Sequence, residues 1–77
     1  MGDLTQYLAF VREEPQGRKT PIVRVQSRSS GCLLGEIRWY GAWRQFCFYP
    51  AFGVLFNVGC MNDITAKIGE LMTERRA

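Results

Sequence analysis

The sequence predicts an α+β fold in which three or four antiparallel strands are followed by one C-terminal helix (ββββα) that packs on one face of the sheet. Three observations predict this fold. Residues 22–28 alternate between apolar and polar side chains, residues 32–49 form two apolar runs joined by a short glycine-containing turn, and the apolar period changes to that of a helix after Asn57. Since the chain has 77 residues, of which 47% are hydrophobic and 22% charged, we expect a single domain, 1–77.

Four segments are predicted strands, and each is bounded by turn residues. The first, about 6–13, is rich in aromatic and apolar residues and ends before a loop, 15–21, that contains two prolines and a glycine. In the second, about 21–28, two valines alternate with polar side chains, which is typical of a half-buried antiparallel strand. The third and fourth strands, about 32–40 and 43–49, are expected to form a hairpin.

The hairpin is predicted to close through a two-residue loop, Gly41-Ala42, in which glycine takes the position that a type II′ turn reserves for it. This loop places Tyr40 opposite Trp43 and Ile37 opposite Phe46. The inward face then carries Ile37, Trp39, Phe46 and Phe48, and the outward face carries Arg38, Tyr40, Trp43, Gln45 and Tyr49.

A C-terminal helix is expected at about residues 58–74. Asn57 is the predicted N-cap, and Phe56 and Met61 hold the two positions of a hydrophobic staple. The apolar stripe that should face the sheet consists of Met61, Ile64, Ile68, Leu71 and Met72.

The chain has three cysteines, Cys32, Cys47 and Cys60, and no histidine. Because three thiolates do not complete a tetrahedral zinc site, we expect no metal and no cofactor. The thiols are either all free or divided into one disulfide and one free cysteine. Histidine is the commonest general base near neutral pH, so its absence indicates a protein that is not an enzyme.

The net charge of +3 is concentrated in the middle of the sequence. Between residues 17 and 49 six cations accompany a single acid, Glu36, and eight of the ten basic residues of the chain are arginine. Cations interleaved with aromatic side chains suit phosphates and stacked bases. The predicted nucleic-acid or partner-binding face therefore carries Arg24, Arg28, Arg38, Tyr40, Trp43 and Gln45.

Two other interpretations of this face remain open. Tyr40 and Trp43 are also typical of a cross-strand aromatic pair that stabilises a hairpin, with arginines lying over the rings to keep an exposed face soluble. Alternatively, the same residue types favour a protein-binding patch, because tryptophan, tyrosine and arginine are enriched at interface hot spots.

Two motifs give the chain a family resemblance. The hairpin has the pattern LGxIxWYGxWRQxxFxP over residues 34–50, and the predicted helix start has CMxDI over residues 60–64. In these residues the chain resembles a family of small uncharacterised proteins encoded by bacteriophages and prophages. The resemblance covers roughly residues 33–72, and it implies a phage-type accessory protein that acts in the bacterial host cytoplasm.

Together these features predict a non-enzymatic binding protein that contacts DNA or RNA, or a nucleoprotein, through the basic-aromatic face. The alternatives are an inhibitor that binds a host or defence protein, and a structural module of unknown function. The sequence contains no run of 18 apolar residues and no apolar leader, so we expect a cytoplasmic protein that does not contact membrane. An unpaired strand at the edge of the sheet would also allow two copies to form a homodimer.

Overall fold

The structure, a computed structural model, describes residues 3–17 and 19–76. These residues form five strands and one helix, and the strands pair antiparallel in the order of the sequence. The elements are β1 (Asp3–Leu4), β2 (Leu8–Glu13), β3 (Ile22–Ser27), β4 (Leu33–Tyr40), β5 (Gln45–Pro50) and α1 (Val58–Arg76). The predicted class, an antiparallel sheet followed by a C-terminal helix, is confirmed. Strand β1 is an addition at the edge of the sheet, since two residues are too short to show a strand period.

The core lies between α1 and one face of the sheet. Alternate residues of β2, β3, β4 and β5 point toward the helix, as the period of a strand requires. The buried hydrophobic side chains are Leu8, Phe10, Val23, Val25, Ile37, Phe46, Cys60, Ile64 and Leu71. The opposite surface of the sheet, which we call the open face, has no helix over it in the part of the chain that the structure describes.

The helix begins where the sequence indicates, but its buried stripe differs at the first position. Asn57 Oδ1 accepts a hydrogen bond from the Cys60 N–H at 2.8 Å, which confirms Asn57 as the N-cap. Met61, predicted to start the stripe, is 51% exposed, and Cys60 is buried instead. The reason is rotational, because Cys60 lies one helical turn before Ile64 on the same side and Met61 is turned toward the flank of the helix.

The predicted two-residue hairpin loop is wrong, and the structure has a four-residue loop, Gly41 to Arg44. Two successive turns close it: the Trp43 N–H donates to the Tyr40 carbonyl and the Arg44 N–H donates to the Gly41 carbonyl, each at 3.2 Å. Arg44 has a φ of 55°, the left-handed conformation that often ends such loops. Tyr40 therefore pairs with Gln45.

The longer loop shifts the register of the hairpin by two residues. Ile37 lies opposite Phe48, and Trp39 lies opposite Phe46. Since side chains alternate with a period of two, a shift of two leaves every inward and outward residue of the strands on its predicted face.

Candidate functional site

Four of the six predicted site residues lie on the open face. Arg24 is on β3, Arg38 and Tyr40 are on β4, and Gln45 is on β5, and all four are exposed. Arg24 lies opposite Glu36, and Tyr40 lies opposite Gln45. The antiparallel pairing thus brings these four side chains onto one surface.

The other two predicted site residues lie outside the strands. Arg28 follows β3, and its Nη1 donates to the Thr5 carbonyl at 3.0 Å while its own N–H donates to the Tyr7 carbonyl at 2.9 Å. Arg28 therefore fastens the segment between β1 and β2. Trp43 lies in the loop between β4 and β5.

Both arginines of the open face have a carboxylate partner. Arg24 Nη2 lies 2.6 Å from Glu13 Oε2, and Arg38 Nη1 lies 3.7 Å from Glu36 Oε1. Glu13 reaches this surface because its strand, β2, pairs with β3. Its charge lies outside residues 17–49 and was therefore not part of the predicted excess. The positive excess predicted for the open face is therefore largely neutralised.

The aromatic residues at the end of the hairpin form a defined pair. Tyr40 and Trp43 make an edge-to-face contact with ring centroids 5.1 Å apart, which stabilises the loop. Trp43 nevertheless remains 67% exposed. Arg38 lies over the ring of Tyr49, with 5.8 Å between its guanidinium carbon and the ring centroid. The Tyr40–Trp43 pair therefore stabilises the hairpin and leaves the Trp43 indole exposed to solvent.

Three cations lie at the same end of the molecule as this loop. Together with the indole they form what we call the basic end: Lys19, Trp43, Arg44 and Arg75. All four residues are exposed. Among residues 3–17 and 19–76, none of these three cations has a carboxylate within ion-pair distance. Arg75 stacks on Trp39, with its guanidinium carbon 4.2 Å from the ring centroid. Arg18, part of the sequence count, lies outside the described residues.

The topology explains why these residues share one end of the molecule. The loop before β3, the loop between β4 and β5, and the last turn of α1 all lie there. Lys19 and Arg75 line the same cavity of about 140 Å³, together with Phe46, Leu71 and Glu74. The sequence analysis did not include Arg75 in the site. Arg75 lies about 30 residues after the hairpin, at the end of a helix, and no local sequence pattern indicates that the two segments meet.

The one acid in that cavity wall, Glu74, is engaged by Arg12. Arg12 Nη1 lies 2.8 Å from Glu74 Oε1, and Arg12 Nε lies 2.9 Å from Glu14 Oε2. The hydrogen bond to Glu74 raises the pKa of Arg12 above its ordinary value, with smaller contributions from the charges of both carboxylates. This arrangement ties β2 to the last turns of α1.

The opposite end of the molecule has a different character, and we call it the apolar end: Phe52, Leu55, Val58 and Met61. The side chain of Phe52 is fully exposed and that of Leu55 is 93% exposed. Beside them lies an apolar groove of about 510 Å³, lined by Phe48, Pro50, Ala51, Val54, Phe56, Met61, Ile64, Thr65 and Ile68. No charged residue occurs from Gln45 to Asn62. This uncharged stretch is the sequence signal for the apolar end, and the sequence analysis did not use it.

Comparison with curated proteins gives the chain a relative. Over 72 residues it is 35% identical to a protein of Acholeplasma phage L2 described as an uncharacterised 9.3 kDa protein, and the alignment covers 94% of this chain and 92% of the relative. The chain belongs to a family of small phage proteins. No protein-family model matches it, and no solved structure matches it. The resemblance to a phage family is confirmed at this level, and the hairpin and helix-start motifs stay predictions.

The three thiols of this phage protein are free. Cys32 is exposed, Cys47 is half-buried on the open face, and Cys60 is buried in the core. In the described part of the chain, histidine, cysteine, aspartate and glutamate form no group of three that could hold a metal ion. Over residues 3–17 and 19–76, no helix is both long and apolar enough to span a membrane.

Proposed function

We propose that this phage protein is a non-enzymatic binding protein that contacts nucleic acid through its basic end. Trp43 is the stacking platform for a base, and Lys19, Arg44 and Arg75 contact phosphates. The observation that carries the proposal is the exposed indole of Trp43 at the end of the sheet that also carries Lys19, Arg44 and Arg75, three cations with no described carboxylate within ion-pair distance. The expected place of action is the cytoplasm of the bacterial host.

The open face is the weaker part of the predicted surface. Arg24 and Arg38 each have a glutamate partner, so a phosphate would have to displace a carboxylate from each guanidinium. Arg38, Tyr40 and Gln45 lie beside the tip and suit contacts at the margin of the site. Arg28 is held by the Thr5 carbonyl, and it contributes positive potential at a distance.

The proposal is tested by measuring the affinity for single-stranded and duplex oligonucleotides as a function of salt concentration. Each cation that contacts a phosphate contributes about 0.7 to 0.9 to the slope of log K against log salt. We expect Lys19→Ala and Arg44→Asn each to reduce the slope by about that amount. Asparagine is chosen at position 44 because it tolerates the left-handed backbone there.

Matched controls separate the basic end from the open face. Arg24→Ala removes an arginine that is also exposed but already ion-paired, and we expect its salt slope to equal that of the wild type. Trp43→Ala should weaken single-strand binding by about 5- to 160-fold, the range for loss of one stacked base, without changing the slope. Absence of binding at low salt would contradict the proposal.

The second candidate function, an inhibitor that docks on a host or defence protein, is favoured by a different observation: the exposed apolar side chains of Phe52 and Leu55. Pull-down from a bacterial lysate, with and without nuclease, distinguishes the two. A protein partner that resists nuclease, is lost with Phe52→Ser and is kept with Trp43→Ala would favour the inhibitor. A partner that disappears with nuclease favours nucleic-acid contact.

A further inference from the structure

The apolar end combines a projecting side chain with a groove beside it. Phe52 occupies a turn in which Gly53 has a φ of 75°, a backbone conformation that glycine adopts without strain. The turn holds the Phe52 ring fully in solvent, so the ring contributes nothing to the core. The groove next to it is lined by Pro50, Ala51 and Val54 from the same loop and by Ile64 and Thr65 from α1.

We propose that this end binds a second copy of the same chain, with Phe52 of each copy inserted into the groove of the other. A two-fold dimer requires one surface that is complementary to itself, and here the projection and the groove lie side by side on one surface. The inference is independent of the proposed nucleic-acid function, because the basic end lies at the other end of α1 and β5.

Charge favours a second copy as the occupant. The chain has a net charge of +3, but residues 45–62 contain no charged side chain. Two copies can therefore meet here without placing like charges against each other. The surface also offers no charged group with which to select a partner of opposite charge.

The exposed area is sufficient for a weak, specific dimer. A phenylalanine side chain buries on the order of 150 to 250 Å², and the side chain of Phe52 is fully exposed. Phe52, Val58 and Met61 from two copies, together with the groove walls that each ring would cover, would bury on the order of 1,000 Å², which is the lower limit for specific interfaces. We therefore expect a dimer with a Kd in the micromolar range, about 1 to 100 µM.

A dimer through the free edge of β5 is less favourable than one through side chains. The Phe46 N–H points away from β4 and donates to Met72 Sδ at 3.4 Å, and Pro50 has no N–H. By the alternation of an antiparallel strand, Phe48 is the residue of β5 that offers an outward N–H. One donor is a poor template for strand pairing.

Sedimentation equilibrium of the full chain over about 1 µM to 1 mM tests the proposal. We expect the wild type to pass from 8.8 kDa to twice that mass, and Phe52→Ser to remain monomeric with an unchanged circular dichroism spectrum and melting temperature. Trp43→Ser, an exposed aromatic at the other end, should dimerise like the wild type. A wild type that stays monomeric at every concentration would overturn the proposal, as would a Phe52→Ser dimer of unchanged affinity.

A groove variant completes the test. Thr65 is exposed and lines the groove, whereas Ala66, the next residue, is exposed and lies outside it. Thr65→Arg should abolish dimerisation, and Ala66→Arg should not. A mixture of Phe52→Ser and Thr65→Arg keeps one intact ring and one intact groove, so it should dimerise more tightly than either variant alone. The proposal would be overturned if the mixture did not dimerise more tightly. It would also be overturned if the chain stayed monomeric and used Phe52 to capture a host protein, or if the monomer bound neutral phosphatidylcholine vesicles.

Discussion

The ring of Phe48 lies directly over the Cα of Gly35. A Cβ added to Gly35 would be 2.7 Å from two ring carbons of Phe48 and 2.5 Å from the Tyr49 carbonyl oxygen. Phe48 in turn packs edge-to-face on Phe56, with centroids 5.3 Å apart. The missing side chain at position 35 thus lets β4 and β5 approach, and it positions the wall of the groove at the apolar end.

Gly35→Ala should lower the free energy of unfolding by about 1 to 3 kcal/mol, since the added methyl group overlaps backbone as well as a packed ring. Urea denaturation followed by circular dichroism measures the change. Gly41→Ala is the matched control, because a Cβ at position 41 meets nothing within 4 Å. Equal stability of the two variants would show that the Phe48 ring and the Tyr49 carbonyl move aside without lowering the free energy of unfolding.

Asn57→Ala should remove about 1 kcal/mol of stability, because its side chain satisfies the N–H of Cys60 at the start of α1. Asn62→Ala changes an exposed asparagine inside the same helix and should be neutral or slightly stabilising. Thermal unfolding of both variants provides the comparison. If Asn62→Ala were the more harmful substitution, the helix would begin later than the structure shows.

The ion pair between Arg12 and Glu74 should contribute about 0.5 to 1 kcal/mol at low salt. A double-mutant cycle with Arg12→Ala and Glu74→Ala measures it, and the coupling should decrease as salt is added. Because the pKa of Arg12 is raised, its contribution is complete below the ordinary arginine pKa and is lost only as the pH rises through the higher folded-state pKa. Titration of Arg12 therefore adds no pH dependence near neutrality, and a neutral-pH transition that vanished with Arg12→Ala would contradict this assignment.

The fold could be predicted from the sequence because its signals are local. The alternation around Val23 and Val25 and the cap at Asn57 each act over a few residues, and the core is built from the positions that they indicate. The register of the hairpin was not fixed in the same way. Loops of two and four residues keep the same residues inward, so the apolar pattern cannot distinguish them.

The candidate site was harder to predict because its character depends on contacts between distant segments. Arg24 looked like a free cation in its own strand, and it is neutralised by Glu13 from the neighbouring strand. Arg75 reaches the end of β4, where it stacks on Trp39, only because the last turn of α1 packs against that end of the sheet. A local signal for the apolar end was present in the uncharged stretch from residue 45 to residue 62.

The three cysteines differ in exposure and should react with a thiol reagent in three separate phases. Cys32 is exposed, Cys47 is half-buried and Cys60 is 8% exposed in the core. Reaction with 5,5′-dithiobis-(2-nitrobenzoic acid), followed by absorbance and mass, should label Cys32 first and Cys47 second. Cys60 should be labelled at the rate at which α1 separates from the sheet, so its rate alone should rise steeply with urea below the unfolding transition. Cys32→Ser should remove the fast phase and leave the slow one unchanged, whereas labelling of Cys60 as fast as Cys32 in the absence of urea would show that α1 does not cover this part of the sheet.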